Sequence, residues 1–210
     1  MNVADSEVVV SILSEKGFKS VENINEADLI LFNTCSIREN AEQRIWNRLK
    51  SIRYLKKKNK NLMAGLIGCM AERLKEKILE AENLIDIVAG PDAYRALPDL
   101  IAEAESGKKA IDVVLCRDET YSDITPVRFD ANGVSAFVSI MRGCNNMCAY
   151  CVVPYVRGAE RSRDPDSVLK EVTGLFEAGY REVPLLGQNV DSYKWSSEGS
   201  VTRFHDLRES

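Results

Sequence analysis

The sequence contains little of what zinc sites, disulfide frameworks and membrane spans require. It has one histidine and six cysteines in 210 residues, and only three of the cysteines lie close together. A structural zinc site commonly needs two C-x2-C pairs, or one pair with two histidines, so zinc is disfavoured. A disulfide framework fits this chain poorly, because such frameworks are typical of short, cysteine-dense secreted chains. With no apolar run long enough to span a membrane and no signal-peptide pattern, we expect a reducing, cytoplasmic setting without a membrane partner.

An excess of positive charge is also absent. The formal net charge is -4, which argues against a uniformly basic nucleic-acid binder. The charge is unevenly distributed, however, because eight basic residues and no acidic ones lie between Arg44 and Lys60. A second stretch, from Met141 to Arg163, has four arginines against Glu160. Such stripes suit a phosphate backbone, whereas a solvated helix end is the simpler interpretation of a charge run on its own.

The run from Gly143 to Cys151 carries the most informative pattern. Its three cysteines have the spacing C-x3-C-x2-C, and Tyr150 immediately precedes the last of them. Four thiolates close the coordination of a 4Fe-4S cube, whereas three leave one iron open to a small molecule. The pattern therefore favours a reactive iron–sulfur cluster over a zinc site or inert thiols.

Three segments resemble the radical S-adenosylmethionine (SAM) methylthiotransferases, in the order in which that family carries them. They are NTCSIRENAEQRIWNRL around Cys35, LIGCMAERLKE around Cys69, and SIMRGCNNMCAYCVVPYVRGAERSR. The residues SIRENAEQ after Cys35 resemble the branch that adds a methylthio group to the adenine ring of N6-isopentenyladenosine, beside the tRNA anticodon. The alternatives are threonylcarbamoyl-adenosine in tRNA, a ribosomal protein, or an inactive metal-binding fragment.

The resemblance implies a 4Fe-4S cluster that binds SAM, held by Cys144, Cys148 and Cys151. It also implies that Tyr150, Gln188 and Asn189 contact SAM. Arg157 is a fourth candidate, because its planar guanidinium group suits the carboxylate of SAM or a phosphate of RNA. An ordinary structural role stays open for each of these four. Tyr150 would pack behind the loop, Gln188 and Asn189 would be turn residues, and Arg157 would be a surface arginine without a special role.

The family's amino-terminal domain carries a second 4Fe-4S cluster held by three cysteines. Cys35 and Cys69 match two of these, and the first would stand immediately before Met1. Each cysteine alone is more typical of a small buried apolar residue. The two lie 34 positions apart, however, each just after a predicted parallel strand, where ligands bind in open α/β sheets. The resemblance implies three partners, namely the tRNA anticodon loop, SAM and an electron-donor protein. We expect a longer enzyme, of which the isolated chain is inactive.

Alternating strand and helix signals over the first ~115 residues favour an α/β fold with an open parallel sheet. The predicted strands are residues 28–33, 63–68, 85–89 and 110–115. A second part resembles the first two strands of the partial radical SAM β/α barrel, at 134–140 and 181–186, with a helix that begins at Pro165. The predicted domains are 1–116 (the methylthiotransferase amino-terminal domain), 117–133 (a linker) and 134–210 (an incomplete radical SAM domain).

Overall fold

The computed structural model describes residues 1–35, 39–75, 77–78, 84–129, 133–197 and 199–209. These residues form two compact units. The sheet unit comprises Asn2 and Ile12–Leu115, and the cluster-loop unit comprises Met1, Val3–Ser11 and Cys116–Ser210. The first helix, α1, runs from Asn2 to Glu15 and contributes residues to both units. The domain bounds proposed from the sequence stay a prediction.

Four parallel strands in the order β1-β2-β3-β4 form the sheet unit's centre. They are β1 (Leu29–Thr34), β2 (Met63–Gly68), β3 (Ile87–Ala89) and β4 (Ala110–Asp112). The predicted parallel α/β sheet is confirmed, although β3 and β4 are shorter than expected. Strand β4 ends early because the Asp112 carboxylate accepts the N–H of Val114 at 3.1 Å, which turns the backbone out of the strand.

Helices cover this sheet as the apolar periodicity predicts. They are α2 (Glu39–Lys58), α3 (Cys69–Leu74) and α4 (Leu97–Glu105), with short 3-10 helices at Ile24–Glu26 and Tyr94–Ala96. Leu49 and Ile52 of α2 are buried in the core with Leu66 of β2 and Met70 of α3. The helix predicted over residues 71–82 is interrupted after Leu74, and residues 76 and 79–82 lie outside the described part.

The cluster-loop unit has short strands and helices. Its strands are β5 (Val138–Ser139), β6 (Met141–Arg142), β7 (Arg161–Ser162), β8 (Leu185–Leu186), β9 (Lys194–Ser197) and β10 (Ser200–Arg203). Its helices are α5 (Val153–Arg157), α6 (Pro165–Glu177), a 3-10 turn at Val190–Ser192, and α7 (Phe204–Glu209). Strands β5 and β8 pair in parallel, and a bridge from Ser135 to Glu182 extends the pair. Helix α6 begins as predicted, because the Asp164 side chain accepts the N–H of Ser167 at 2.9 Å.

Tyr193 is buried in this unit's core, with Val138, Ile140 and Val168. Its hydroxyl donates to the carbonyl of Arg163 at 2.7 Å. Burial, with a smaller contribution from the nearby Asp164 charge, raises the pKa of Tyr193 to about 12. The phenol therefore stays protonated and keeps its role as a donor. Within the described ranges, none of the helices is long and apolar enough to cross a membrane.

Candidate functional site

The loop from Gly143 to Val152 joins β6 to α5 and carries the three closely spaced cysteines. Cys144 is buried, Cys151 is half-buried and Cys148 is exposed, and none of them forms a disulfide. Gly143 has a φ of +73°, and a Cβ there would lie 2.0 Å from the carbonyl oxygen of Ala159. Only glycine fits this close approach of two backbones, which fixes where the loop begins.

The donor chemistry of this loop fits an iron–sulfur cluster with three protein ligands. Three soft thiols lie within eight residues, and the N–H of Asn146 donates to the Cys144 sulfur at 3.4 Å. Backbone hydrogen bonds to sulfur are among the interactions that set the properties of such clusters. Over the described residues, no three His, Cys, Asp or Glu side chains converge on one metal position. The fit therefore rests on the donor set and the loop, and not on a preformed cage.

Gln188 lies just after β8, at the same end of the β5–β8 pair as the loop. Gly187 brings the two chain segments together, because a Cβ there would lie 2.5 Å from Cγ of Met141. The Gln188 side-chain oxygen is buried and has no hydrogen-bond partner among the described residues. A buried acceptor without a donor is costly, so this oxygen favours a ligand that brings an N–H or O–H group.

Asn189 has a different environment from Gln188. Its carbonyl accepts the N–H and the hydroxyl of Ser192, at 3.1 and 2.7 Å, and its side chain does not cap the 3-10 turn. This geometry is that of a turn residue, the alternative that the sequence left open. A contact of Asn189 with SAM stays a prediction.

Tyr150 and Arg157 lie in opposite environments. Tyr150 is 92% exposed, so it does not pack behind the loop and its ring is available to a ligand. Arg157 is buried rather than at the surface, and its Nη2 donates to Oδ2 of Asp5 at 2.6 Å. The predicted SAM contacts of both residues stay predictions.

Asp5 of α1 connects β6, which precedes the cysteine loop, with α5, which follows it. Its Oδ1 accepts a hydrogen bond at 2.9 Å from Nη1 of Arg142, the residue directly before Gly143. Its Oδ2 accepts the hydrogen bond from Nη2 of Arg157. The side chains of Asp5 and Arg142 are 2% and 3% exposed. Burial alone would raise the pKa of Asp5, but the charges and hydrogen bonds of Arg142 and Arg157 outweigh it and hold the pKa below its usual value.

Asp5 was not predicted from the sequence, although a signal for it is present. It is an acidic residue near the start of a helix whose following turns are apolar, and a charge in that setting needs a partner. Nothing in the sequence identifies arginines 137 and 152 positions away as those partners.

The arginines of 141–163 also correct one sequence-based interpretation. All four are buried, so this stretch does not form part of an exposed phosphate-binding stripe. Arg161 donates to the carbonyls of Arg157, at 2.8 Å, and Cys116. Arg163 bonds Ser167 and pairs with Glu171. Their guanidinium groups form hydrogen bonds and ion pairs inside this unit.

Cys35 and Cys69 lie at one edge of the parallel sheet, as predicted. Thr34 and Gly68 are register partners at the ends of β1 and β2, and each is followed by a cysteine. Gly68 has a φ of +89°, and a Cβ there would lie 2.8 Å from the Thr34 carbonyl oxygen. Cys35 is half-buried, Cys69 is buried, and their role as cluster ligands stays a prediction. Residues 36–38, which belong to the motif after Cys35, lie outside the described part.

Glu72 lies one turn after Cys69, on α3, and is 2% exposed. Burial raises its pKa, and a bond to Lys75 at 3.3 Å opposes that shift only in part. Its Oε2 occupies the space that a side chain at Gly90 would need, because a Cβ built at Gly90 would lie 2.7 Å from this oxygen. The cysteine edge of the sheet thus includes one buried carboxyl that favours its neutral form.

Comparison with known proteins identifies the relatives of both units. Residues 1–90 match the family described as uncharacterized protein family UPF0004, and residues 138–198 match the radical SAM superfamily. A protein of Amoebophilus asiaticus is 62% identical over 93% of this chain and 40% of its own length. Proteins of Christiangramia forsetii and Chloroherpeton thalassium are each 56% identical over 100% of this chain, which covers 44% and 46% of their lengths. All three are named tRNA-2-methylthio-N(6)-dimethylallyladenosine synthase.

The predicted resemblance to the radical SAM methylthiotransferases is confirmed, because both family matches occur in the expected order and these relatives align over 93–100% of this chain. The chain spans less than half the length of the curated relatives that it matches. The radical SAM match includes the cysteine loop and Gln188, and the first match includes Cys35 and Cys69. Both groups of cysteines therefore lie within the segments that this chain shares with the methylthiotransferase relatives.

Proposed function

We propose that this chain is part of a tRNA methylthiotransferase. Its substrate is the adenine ring of N6-isopentenyladenosine beside the anticodon, where the isopentenyl group is the dimethylallyl group of the relatives' printed name. The proposal rests on one observation: a three-cysteine loop at the end of a parallel strand pair, in a chain 52–62% identical to proteins of that name. The setting is cytoplasmic, since tRNA is the substrate.

Cys144, Cys148 and Cys151 would hold a 4Fe-4S cluster with one iron left open for SAM. Such a cluster, when bound, supplies the electron that cleaves the sulfonium of SAM. The chain's own residues position SAM. Gln188 offers a dehydrated acceptor, and Tyr150 offers an exposed ring for the adenine. Arg157 and Asn189 are further candidates for polar contacts, although Arg157 acts first as a partner of Asp5.

Cys35 and Cys69 would supply two of the three ligands of a second 4Fe-4S cluster, which provides the sulfur. The register pair Thr34–Gly68 supports this assignment, because it sets the two cysteines at the ends of neighbouring strands. An electron-donor protein is the further partner that the chemistry requires. Strands β5 and β8 are, in this proposal, the first two strands of a partial β/α barrel.

Anaerobic reconstitution with iron and sulfide tests the loop assignment. We expect acid-labile sulfide, and an electron paramagnetic resonance signal of the reduced protein that shifts when SAM is added. Cys148→Ala removes one of three ligands and is expected to abolish that shift. Cys116→Ala is the matched control, since Cys116 is exposed and lies outside the loop. A Cys148→Ala protein with an unchanged shift, or zinc without sulfide, would contradict the proposal.

Nucleoside mass spectrometry of tRNA tests the substrate. In a strain that lacks the gene, we expect N6-isopentenyladenosine to accumulate without its methylthio group. Loss of the methylthio group from threonylcarbamoyl-adenosine instead would assign the chain to a different substrate.

A further inference from the structure

Helix α2 presents a row of exposed cations around one exposed aromatic ring. Lys50, Arg53, Lys57 and Lys58 are all exposed, and Tyr54 is 70% exposed. We call these five residues the α2 basic face. It lies on a chain whose net charge is -4, in a segment without acidic residues from Arg44 to Lys60.

The orientation of this face is fixed by the opposite side of the helix. Leu49 and Ile52 are buried in the core of the sheet unit, which sets the rotation of α2 about its axis. Lys50, Arg53 and Lys57 follow at steps of three and four, so they line up along one flank. Neighbours at such steps have Cβ atoms about 5–6 Å apart.

Within the described part of the chain, the fold makes almost no use of the four cations of the α2 basic face. Lys56, in the same run, is half-buried and pairs with Asp86, whose carboxylate also accepts the N–H of Ala64 at 2.8 Å. Among the residues that the structure describes, no ion pair involves Arg53, Lys57 or Lys58, and Lys50 contacts only Asn47 within the helix at 3.5 Å. Cations in the last turn of a helix stabilise it through the helix dipole, which accounts for Lys57 and Lys58. Lys50 and Arg53 lie before that turn, so the dipole does not account for them.

A repeating row of cations complements a repeating row of anions better than it complements a single carboxylate. Among polyanions, RNA also offers unpaired bases that stack on exposed aromatic rings. A lipid surface would require several apolar side chains on the same face, and the α2 basic face has only Tyr54. We propose that the α2 basic face binds the phosphate backbone of RNA, with Tyr54 against an unpaired base. The identification of the RNA as tRNA rests on the proposed function.

Fluorescence anisotropy with a short hairpin RNA that has an unpaired loop tests this proposal on the chain as given. The variant K50Q/R53Q/K57Q removes three exposed charges from the face. We expect affinity at low salt to fall at least tenfold. The slope of log K against log salt is expected to shrink by about 2, since each phosphate contact contributes ~0.7 to it in single strands.

The matched control is K16Q/K19Q/K108Q, which removes three exposed charges elsewhere in the sheet unit. Its affinity is expected to stay within about twofold of the parent protein. Equal losses in both triple variants would overturn the proposal, because the attraction would then follow net charge alone. Equally tight binding to vesicles with anionic headgroups, lost in the same variant, would overturn it in favour of a lipid surface.

Tyr54 separates stacking from charge. Tyr54→Ala is expected to weaken binding of the hairpin about tenfold without changing the salt slope, and Tyr54→Phe is expected to retain the affinity. Circular dichroism verifies that each variant keeps its fold, which is expected because all the substituted side chains are exposed.

This binding needs neither a cluster nor SAM, so the two proposals can fail separately. If the α2 variant loses RNA affinity but the parent protein shows no SAM-dependent signal shift, the RNA-binding proposal is supported and the enzymatic proposal is contradicted. If the parent protein shows the SAM-dependent shift but the α2 variant keeps its RNA affinity, the enzymatic proposal is supported and the RNA-binding proposal is contradicted.

Discussion

Two groups of cysteines occur in this chain, and the fold positions them by different means. Cys35 and Cys69 follow neighbouring parallel strands, so the hydrogen-bond register of the sheet places them. The cysteines of the Gly143–Val152 loop have no such ladder. Their loop is held by side chains on the two elements that flank it, namely Arg142 of β6 and Arg157 of α5, which share the carboxylate of Asp5.

This difference predicts which substitutions disturb the position of each group of cysteines. A site set by register depends on backbone packing and tolerates many side-chain changes elsewhere. A site set by a buried ion pair depends on a few charged atoms, because a buried charge that loses its partner is strongly destabilising. We therefore expect substitutions at Asp5 to act on the loop, and substitutions at Gly68 to act on the sheet edge.

Asp5→Ala is expected to have the largest effect. It removes the carboxylate between two buried guanidinium groups, and breaking a buried pair costs about 3–5 kcal/mol. Urea unfolding at neutral pH measures this loss of stability. Asp118→Ala, an exposed carboxylate in the same unit, is the control and is expected to change stability by less than about 0.5 kcal/mol. Equal midpoints for the two variants would show that the ion pair does not hold the loop.

The pH dependence of stability sharpens the same comparison. Asp5 has a pKa below its usual value of 3.8, so its contribution is complete above that value and is lost as the pH falls through the folded-state pKa. The stability difference between the parent protein and Asp5→Asn is expected to be constant from about pH 5 to 8 and to narrow below about pH 4. A difference that grows on acidification would contradict the sign of this shift.

Glycine substitutions compare the backbones of the two sites. Gly143→Ala is expected to cost about 2–4 kcal/mol, because a left-handed φ and a contact with the Ala159 carbonyl oxygen both oppose the new Cβ. Gly68→Ala meets a less severe contact with Thr34 and is expected to cost less. Thermal unfolding measures the loss of stability of each variant. Iron content after reconstitution is expected to fall more for Gly143→Ala than for Gly68→Ala.

Gly107→Ala is the control for this pair of glycines. Its φ is +84°, but nothing lies within 4 Å of a Cβ built there. It is therefore expected to show only the conformational cost, about 1–2 kcal/mol. An effect of Gly107→Ala as large as that of Gly143→Ala would mean that backbone strain, and not the close approach, is responsible.

Glu72→Gln is expected to stabilise the sheet unit at high pH. Burial raises the pKa of Glu72, so the folded state favours the protonated form and stability is lost as the pH rises through the folded-state pKa. The amide removes this penalty. We expect a gain on the order of 1 kcal/mol, or about 2–4 °C, at pH 8, and none well below the usual glutamate value of 4.5. Glu103→Gln, at an exposed position, is expected to be neutral at both pH values.

Tyr193→Phe is expected to have a small effect. It removes one buried hydrogen bond, from the phenol to the Arg163 carbonyl, and keeps the ring in the core. The expected loss is about 1 kcal/mol, measured by urea unfolding. A loss several times larger would indicate that the hydroxyl positions the β7 segment as well as stabilising it.

Much of the sheet edge could be predicted from the sequence, because its determinants are local. Strand β2 has the predicted bounds, and β1 begins and ends one residue later than predicted. Pro165 after Asp164 marked the start of α6 correctly. Apolar runs, caps and turns act over a few residues, and a single sequence records them directly.

The supports of the cysteine loop could not be predicted in the same way. An arginine is expected at the surface unless a partner neutralises it, and the partner of Arg142 lies 137 residues away. The helix α1 was also missed, since its run of valines is equally compatible with a strand. The β9–β10 hairpin was missed as well, because its residues alternate only weakly between apolar and polar. These features depend on contacts that only the folded chain forms.

The side-chain oxygen of Gln188 is closed off from bulk solvent when the chain folds, and no group among the described residues donates a hydrogen bond to it. The penalty therefore lowers the free energy of unfolding of the protein without a ligand, and it does not reduce the affinity for an incoming donor. A molecule that donates a hydrogen bond there pairs an acceptor that folding has closed off from bulk solvent. Its binding would be expected to raise the melting temperature more than an equal contact made at a hydrated surface.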